Sequence, residues 1–236
     1  MNATGTTPVV APVVLVPGML CDADLWADLD VPGAVPVAVT EPSIAGMAAE
    51  VLAAVDGPFV LVGLSLGAIV GFQVLRRAPQ RVLAFCAMAT NPGAPTPQQH
   101  TAWRDMSRRT AAGGFTEVVR QTLPTMFADS APPREHAERY LAMAHRVGPD
   151  VFTAQLAAQA TRNDQRDTLR AASCPVLAVC GDRDALCPVD FHRAIVDAAP
   201  AGRLHVLPGA GHLVPIERSH DVTALLRSWL REPTPA

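Results

Sequence analysis

Apolar residues in this chain fall into short unbroken runs that alternate with stretches of three-to-four-residue periodicity. The run 9–16 is rich in Val and reads as a strand buried on both faces, as strands of a covered parallel sheet are. It ends at the turn Pro17-Gly18-Met19-Leu20. Residues 35–39 read as a second short strand, and Ser43 is placed to cap a helix over 44–55. A third strand, 59–62, runs into Gly63-Leu64-Ser65-Leu66-Gly67. Helical periodicity then holds over 68–77 and stops before Pro79, and residues 81–89 read as a fourth strand.

Strands alternating with helices at this spacing predict an α/β fold with a mostly parallel sheet and right-handed crossovers. The alternation lapses over 93–170, where the pattern is helical and broken at Gly113-Gly114, Pro132-Pro133 and Gly148-Pro149. So long a stretch is no loop in a compact domain. It predicts a helical lid inserted after the fourth strand, with the core built from 1–92 and 171–236. Alternation resumes with a strand over 175–180, a helix over 189–198, a strand over 203–207 and a helix over 221–230, for about six strands in all. The tail after 231 carries Pro233 and Pro235 and is expected to fray.

Composition narrows the function classes. A hydrophobic fraction of 49% with only 17% charged residues describes a folded globular chain. Every cation is Arg, the first is Arg76, and the formal net charge is −3, so the N-terminal third offers phosphates nothing. Nucleic acid and anionic membrane are poor partners for such a surface. No stretch approaches the roughly 20 apolar residues of a membrane-spanning helix, and the start lacks the basic region of a secretory signal. Five scattered cysteines, an odd number, suit reduced thiols in a cytoplasmic protein better than a disulfide framework. A monomer or homodimer is the expected state.

The chemistry is expected where the third strand ends. Gly63-Leu64-Ser65-Leu66-Gly67 has the form G-x-S-x-G between a strand and a helix. A serine forced onto so sharp a turn crowds the residues two before and two after it, so both must be small. Its hydroxyl then stands at the sheet's carboxyl edge, beside helix N–H groups that favour negative charge. Serine needs a base, itself held by a third group. Acids follow the strand at 175–180, in Gly181-Asp182-Arg183-Asp184, and Gly209-Ala210-Gly211-His212 follows the strand at 203–207. Three distant positions thus meet at the carboxyl ends of parallel strands, where open α/β sheets bind ligands. On spacing alone the acid is Asp182 or Asp184.

From Val13 to Leu230 the chain resembles the α/β-hydrolase superfamily in its compact form, near bacterial carboxylesterases, pimeloyl-carrier-protein methyl esterases and cofactor-free perhydrolases. The resemblance rests on Leu15-Val16-Pro17-Gly18, Gly63 to Gly67, Gly181 to Pro188 and Gly209 to Pro215. It implies Ser65 as nucleophile, His212 as base and Asp184 as the acid. It further implies an oxyanion hole of the Met19 and Leu66 backbone N–H groups, although family members carry His-Gly where this chain has Pro17-Gly18. The activity implied is cleavage of a small-molecule carboxylic ester through an acyl-enzyme, with no cofactor and no metal. A thioesterase, lactonase, perhydrolase or carbon–carbon hydrolase would use the same residues, and a binding module on this fold would be marked by a decayed triad. An imidazole base predicts activity that falls as pH drops through roughly 6 to 7.

Substrate contacts are expected from Leu20, Leu186, Leu213 and Val214, which neighbour catalytic positions, and from Met126 and Phe127, just past the break at Pro124. These side chains make an apolar wall suited to an uncharged acyl group. His205 reads as a structural or surface histidine. His100, His136, His145, His192 and His220 fall in helices or in the lid, away from the sheet edge. Cys180, Cys187 and His192 match no common zinc spacing.

Overall fold

The computed structural model describes residues 11–231. Its centre is a six-stranded, entirely parallel sheet in the order β2-β1-β3-β4-β5-β6. The strands are β1 (Val13–Val16), β2 (Ala34–Pro36), β3 (Phe59–Leu64), β4 (Val82–Met88), β5 (Val176–Gly181) and β6 (Gly202–Leu207). Val9 and Val10, expected to begin β1, lie outside the described residues, as does the tail after 231. β2 is shorter than its apolar run because Pro36 has no N–H for the ladder, although Val37 N–H still reaches Leu15 O at 2.9 Å.

Side-chain alternation along the strands divides the apolar interior between two faces. Val13, Leu15, Val62, Leu64 and Met88 face one core, and Val14, Val16, Leu61, Phe85 and Ala87 face the other. The second face is covered by α1 (Ile44–Ala54), α2 (Leu66–Arg77) and α7 (Val189–Ala198). Ser43 caps α1 by accepting from Gly46 N–H at 3.0 Å. The first face is covered by α3 (Pro97–Arg109), α4 (Phe115–Thr122), α5 (Arg134–Ala160), α8 (Val214–Glu217) and α9 (Ser219–Trp229). Helix α6 (Arg166–Arg170) belongs to the second face instead, through Leu169. Full burial of a large apolar side chain is worth about 1.5–3 kcal/mol, and both faces of β1, β3 and β5 are lined with such residues.

The helical segment 93–170 bends at its glycines. α5 turns at Gly148 (φ 76°) ahead of Pro149, and the passage between α3 and α4 turns at Gly113 (φ 85°). Sequence periodicity missed α8, four residues opening on Val214-Pro215, and a short 3₁₀ turn at Ala23–Trp26. Among the described residues no helix is long and apolar enough to cross a membrane.

The strand order positions the site. From β1 the chain goes to β2 on one side and returns to β3 on the other, so a crevice opens beyond the carboxyl ends of β1 and β3.

Candidate active site

Three non-glycine residues hold positive φ among the described residues: Leu20 (62°), Ser65 (54°) and Ala89 (46°). Each follows the carboxyl end of a strand, β1, β3 or β4, so the backbone strain lies along one edge of the sheet. Such conformations cost on the order of 1–3 kcal/mol each and persist only where the surroundings enforce them.

Close backbone packing enforces the turn at Ser65. A Cβ on Gly63 would lie 2.5 Å from Gly67 C, and one on Gly67 would lie 2.0 Å from Val16 O. Ser65 N–H donates to Met88 O at 2.8 Å, and Ser65 O accepts from Thr90 Oγ1 at 3.1 Å. The serine itself is half-buried and begins α2.

Facing it is the loop after β1. A Cβ on Gly18 would lie 3.4 Å from Ser65 Cβ and 2.9 Å from Leu64 Cδ2. The strained Leu20 is held from across the chain: its buried N–H donates to Gln155 Oε1 of α5 at 3.0 Å. Among the described residues neither Met19 N–H nor Leu66 N–H has a protein acceptor. Leu66 follows the serine in sequence, and Met19 follows Gly18, which packs against Ser65.

Asp184 and His212 are both buried, and His212 Nδ1 pairs with Asp184 Oδ2 at 2.8 Å. The other carboxylate oxygen, Oδ1, accepts from Leu186 N–H and Cys187 N–H, each at 2.9 Å. Burial pushes the Asp184 carboxyl up, but His212, the hydrogen bond to it and the two N–H donors hold it below its ordinary value. The rival acid, Asp182, is exposed and accepts from Gly209 N–H at 2.7 Å, which ties the turn after β5 to the loop after β6.

His212 is carried back along the edge by the short helix after it, because α8 packs on the turn Ala23–Trp26 beyond Leu20. Glu217 of α8 fixes this loop, accepting from Gly211 N–H and from Ala128 N–H, each at 2.7 Å. Gly211 permits the approach, since a Cβ there would lie 2.2 Å from Ala128 N. Among the described residues no hydrogen bond joins Ser65 Oγ to His212. Catalytic hydrogen bonds of this kind often tighten only around substrate.

One histidine was misplaced by sequence. His192, expected away from the sheet edge, is fully buried, and its Nε2 accepts from Thr90 N–H at 2.9 Å. It lies there because α7 packs on β5 and β6, a tertiary fact with no local signal. Burial pushes its pKa down to about 4, against the opposing pull of Pro188 O and Asp184. It is therefore neutral, with the Nδ1 proton towards Pro188 O at 3.3 Å. Through Thr90 it supports the backbone beneath Ser65.

The expected substrate contacts are placed unevenly. Leu20, Leu213 and Val214 are buried in the core on the face covered by α3, α4, α5, α8 and α9, and Met126 packs against it. Phe127 is buried between His136, stacked at 5.7 Å, and Tyr140 at 6.4 Å. Leu186 is 42% exposed. Among the described residues one group of possible metal donors is close enough to converge, Asp184, Cys187 and His212. Burial and the nearby Asp184 push the Cys187 thiol well up, and the other two are paired to each other.

A model described as the alpha/beta hydrolase family matches residues 13–225. RutD of Klebsiella pneumoniae, provisionally named a carbamate hydrolase, is 30% identical over 204 residues, 82% of this chain and 75% of its own. The pimeloyl-[acyl-carrier protein] methyl ester esterase of Neisseria meningitidis serogroup B is 24% identical over 214 residues, covering 86% and 81%. A thermophilic esterase from Thermogutta terrifontis, solved with malate bound, matches with a TM-score of 0.84 and 26% identity, over 94% of this chain and 90% of that one.

Proposed function

The chain belongs to the alpha/beta hydrolase family, and from that premise we propose that it is a serine esterase cleaving small carboxylic esters. Ser65 is the nucleophile, His212 the base, Asp184 its orienting acid, and the Met19 and Leu66 N–H groups the oxyanion donors. The segment 93–170 is the lid over this site. The observation that carries the reading is the buried Asp184–His212 pair at 2.8 Å, on the same edge as a serine held at φ 54°.

The steps follow from these roles. Asp184 fixes the tautomer that keeps the Nδ1 proton between the pair and leaves Nε2 free to accept. Ser65 Oγ attacks the ester carbonyl carbon as Nε2 takes its proton, and the oxyanion forms against the two N–H groups. A single lost donor of this kind costs about 100- to 1,000-fold. The tetrahedral adduct collapses, and the leaving alkoxide takes the proton from His212. Water then gives a proton to His212 and attacks the acyl-enzyme. Collapse releases the acid and returns the proton to Ser65.

The test is hydrolysis of p-nitrophenyl esters from acetate to decanoate by wild type and Ser65→Ala. Turnover is expected to fall by at least about 10⁴-fold in the variant, with the preferred chain length sizing the acyl site. Ester turnover that survives in Ser65→Ala would overturn the assignment. A second reading, carbamate cleavage by the same residues, is favoured by the likeness to RutD. Faster turnover of a p-nitrophenyl carbamate than of any ester would select it.

A further inference from the structure

Away from these residues, a cavity of about 250 Å³ opens where the chain leaves the core for the segment 93–170 and where it returns. Its walls include Asn91 and Gly93 from the outgoing stretch, Gln99 of α3, Arg162 and Arg166 from the return, and Phe191 of α7. The two stretches are tied together by Gln165 N–H donating to Pro92 O at 2.8 Å. The volume falls below the roughly 300–1,000 Å³ of drug-sized sites, so a ligand here is small.

The chemistry of the cavity comes from Arg162. This residue is only 6% exposed, yet among the described residues no carboxylate pairs with it. Its guanidinium lies over the Trp103 ring at 5.3 Å. One terminal nitrogen donates to Gln159 Oε1 at 3.1 Å and the other to Gln99 Oε1 at 3.0 Å. Both acceptors are neutral amides, and among the described residues Nε has no acceptor. Of five N–H donors two are used. A guanidinium stays protonated even where burial disfavours its charge, so this cation is buried and uncompensated, an arrangement that proteins otherwise avoid. Arg166, half-exposed and paired with Asp164, adds a second guanidinium to the same wall.

We propose that this cavity binds a small oxyanion, a carboxylate or a phosphate, held by Arg162 with Arg166 beside it. The planar fork suits either group, since both offer two oxygens at matching spacing. Phe191, 40% exposed, gives the cavity an apolar side for a short carbon chain. A bound anion supplies the missing countercharge and bridges both chain crossings and α7. The proposal does not depend on the esterase reading, because none of the residues named for ester cleavage lines this cavity.

The test is calorimetric titration and thermal unfolding of the full chain with sodium phosphate and with sodium malonate. Sodium chloride at equal ionic strength is the reference. Binding and a higher melting temperature are expected in at least one of the two anions. Arg162→Met is expected to weaken that binding at least tenfold, on the order of one charge-assisted hydrogen bond. Its melting temperature in chloride is the baseline against which its response to each anion is read. Arg166→Gln, at an exposed position, is expected to weaken binding about threefold. A response to phosphate alone assigns a phosphate ligand, and a response to malonate alone assigns a carboxylate. No anion-specific response in wild type, or an equal response in Arg162→Met, would overturn the proposal. Should Arg162→Met fail to fold, unchanged binding in Arg166→Gln would overturn it, and weakened binding would support it.

Discussion

The turn at Ser65 and the loop facing it lie side by side, yet different forces hold them. The turn is held by backbone against backbone, with Gly63 and Gly67 leaving no room for a methyl group. The facing loop is held by side chains from far along the chain. Gln155 of α5 accepts the Leu20 N–H, and Arg139 and Arg146 of α5 pair with Asp22, Asp24 and Asp28. One structure is local and rigid by sterics, the other depends on where α5 sits. Anything that shifts α5 therefore reaches the Met19 N–H before it reaches Ser65.

The sharpest way to break this contrast is at Gly67. A Cβ there meets Val16 O at 2.0 Å, with Val16 C and Pro17 O also within 2.7 Å, and no flexible side chain can yield. Gly67→Ala is expected to cost about 4 kcal/mol or more, by urea unfolding, or to prevent folding. Gly57→Ala is the control. Its φ is positive (68°), unlike that of the helical Gly67, and nothing lies within 4 Å of the added carbon, so only the backbone term of about 1–2 kcal/mol applies. Equal losses at both positions would show that packing does not hold the turn.

His192 supplies the next effect, with a sign fixed by its direction of shift. Its pKa is about 4 in the fold against an ordinary 6.5, so the unfolded chain takes up the proton first as pH falls. Its contribution is complete above about pH 6.5, is lost as pH falls towards 4, and changes no further below that. The total is roughly 3 kcal/mol. Asp184, held below its ordinary value, loses its contribution only at lower pH, beneath this window. His192→Gln keeps an acceptor near Thr90 N–H without a titrating ring. Urea unfolding at pH 7, 5.5 and 4.5 should show a steeper loss in wild type than in the variant. Parallel curves would mean that His192 is not buried neutral.

Gln155→Leu comes third. It leaves the buried Leu20 N–H without an acceptor, at a cost of about 1–3 kcal/mol. If Gln155 positions the oxyanion loop, kcat for p-nitrophenyl esters should fall about tenfold with KM little changed, since only the transition state uses that loop fully. A stability loss with unchanged kcat would reduce Gln155 to a structural tie.

These cases also mark what could be read from the chain. The six strands and most helices followed from apolar runs and periodicity, because each is a local property. Ser65, Asp184 and His212 stood out because a strained turn and two strand-end loops carry their glycines beside them. Of the two possible acids, Asp184, the one the family resemblance implies, is the one bonded to His212. What stayed hidden depends on distant packing. His192 looks like any helix histidine until α7 is laid on the sheet, and Gln155 and Arg162 look like ordinary polar positions. Helix α8 was hidden differently: four residues are too few to show a period, and its Pro215 read as part of the histidine motif.

The smallest effect tests whether the ion pairs between α5 and the facing loop share the task of Gln155. Arg146 donates from Nε to Asp22 Oδ2 at 2.6 Å and from a terminal nitrogen to Asp24 Oδ2 at 2.9 Å. The geometry is good, and the two carboxylates raise the Arg146 pKa. The side chain is nevertheless half-exposed, so solvent and salt screen both pairs. Arg139, at 19% side-chain exposure, keeps its pairs with Asp24 and Asp28 when Arg146 is removed. Arg146→Ala should therefore cost less than about 1 kcal/mol, a difference that shrinks further in high salt. Ester turnover should stay within about twofold of wild type, because the Leu20 N–H keeps its buried acceptor whatever happens at the rim. A tenfold fall in kcat for Arg146→Ala would reverse the ranking and make the exposed pairs, not Gln155, the means by which α5 holds the loop.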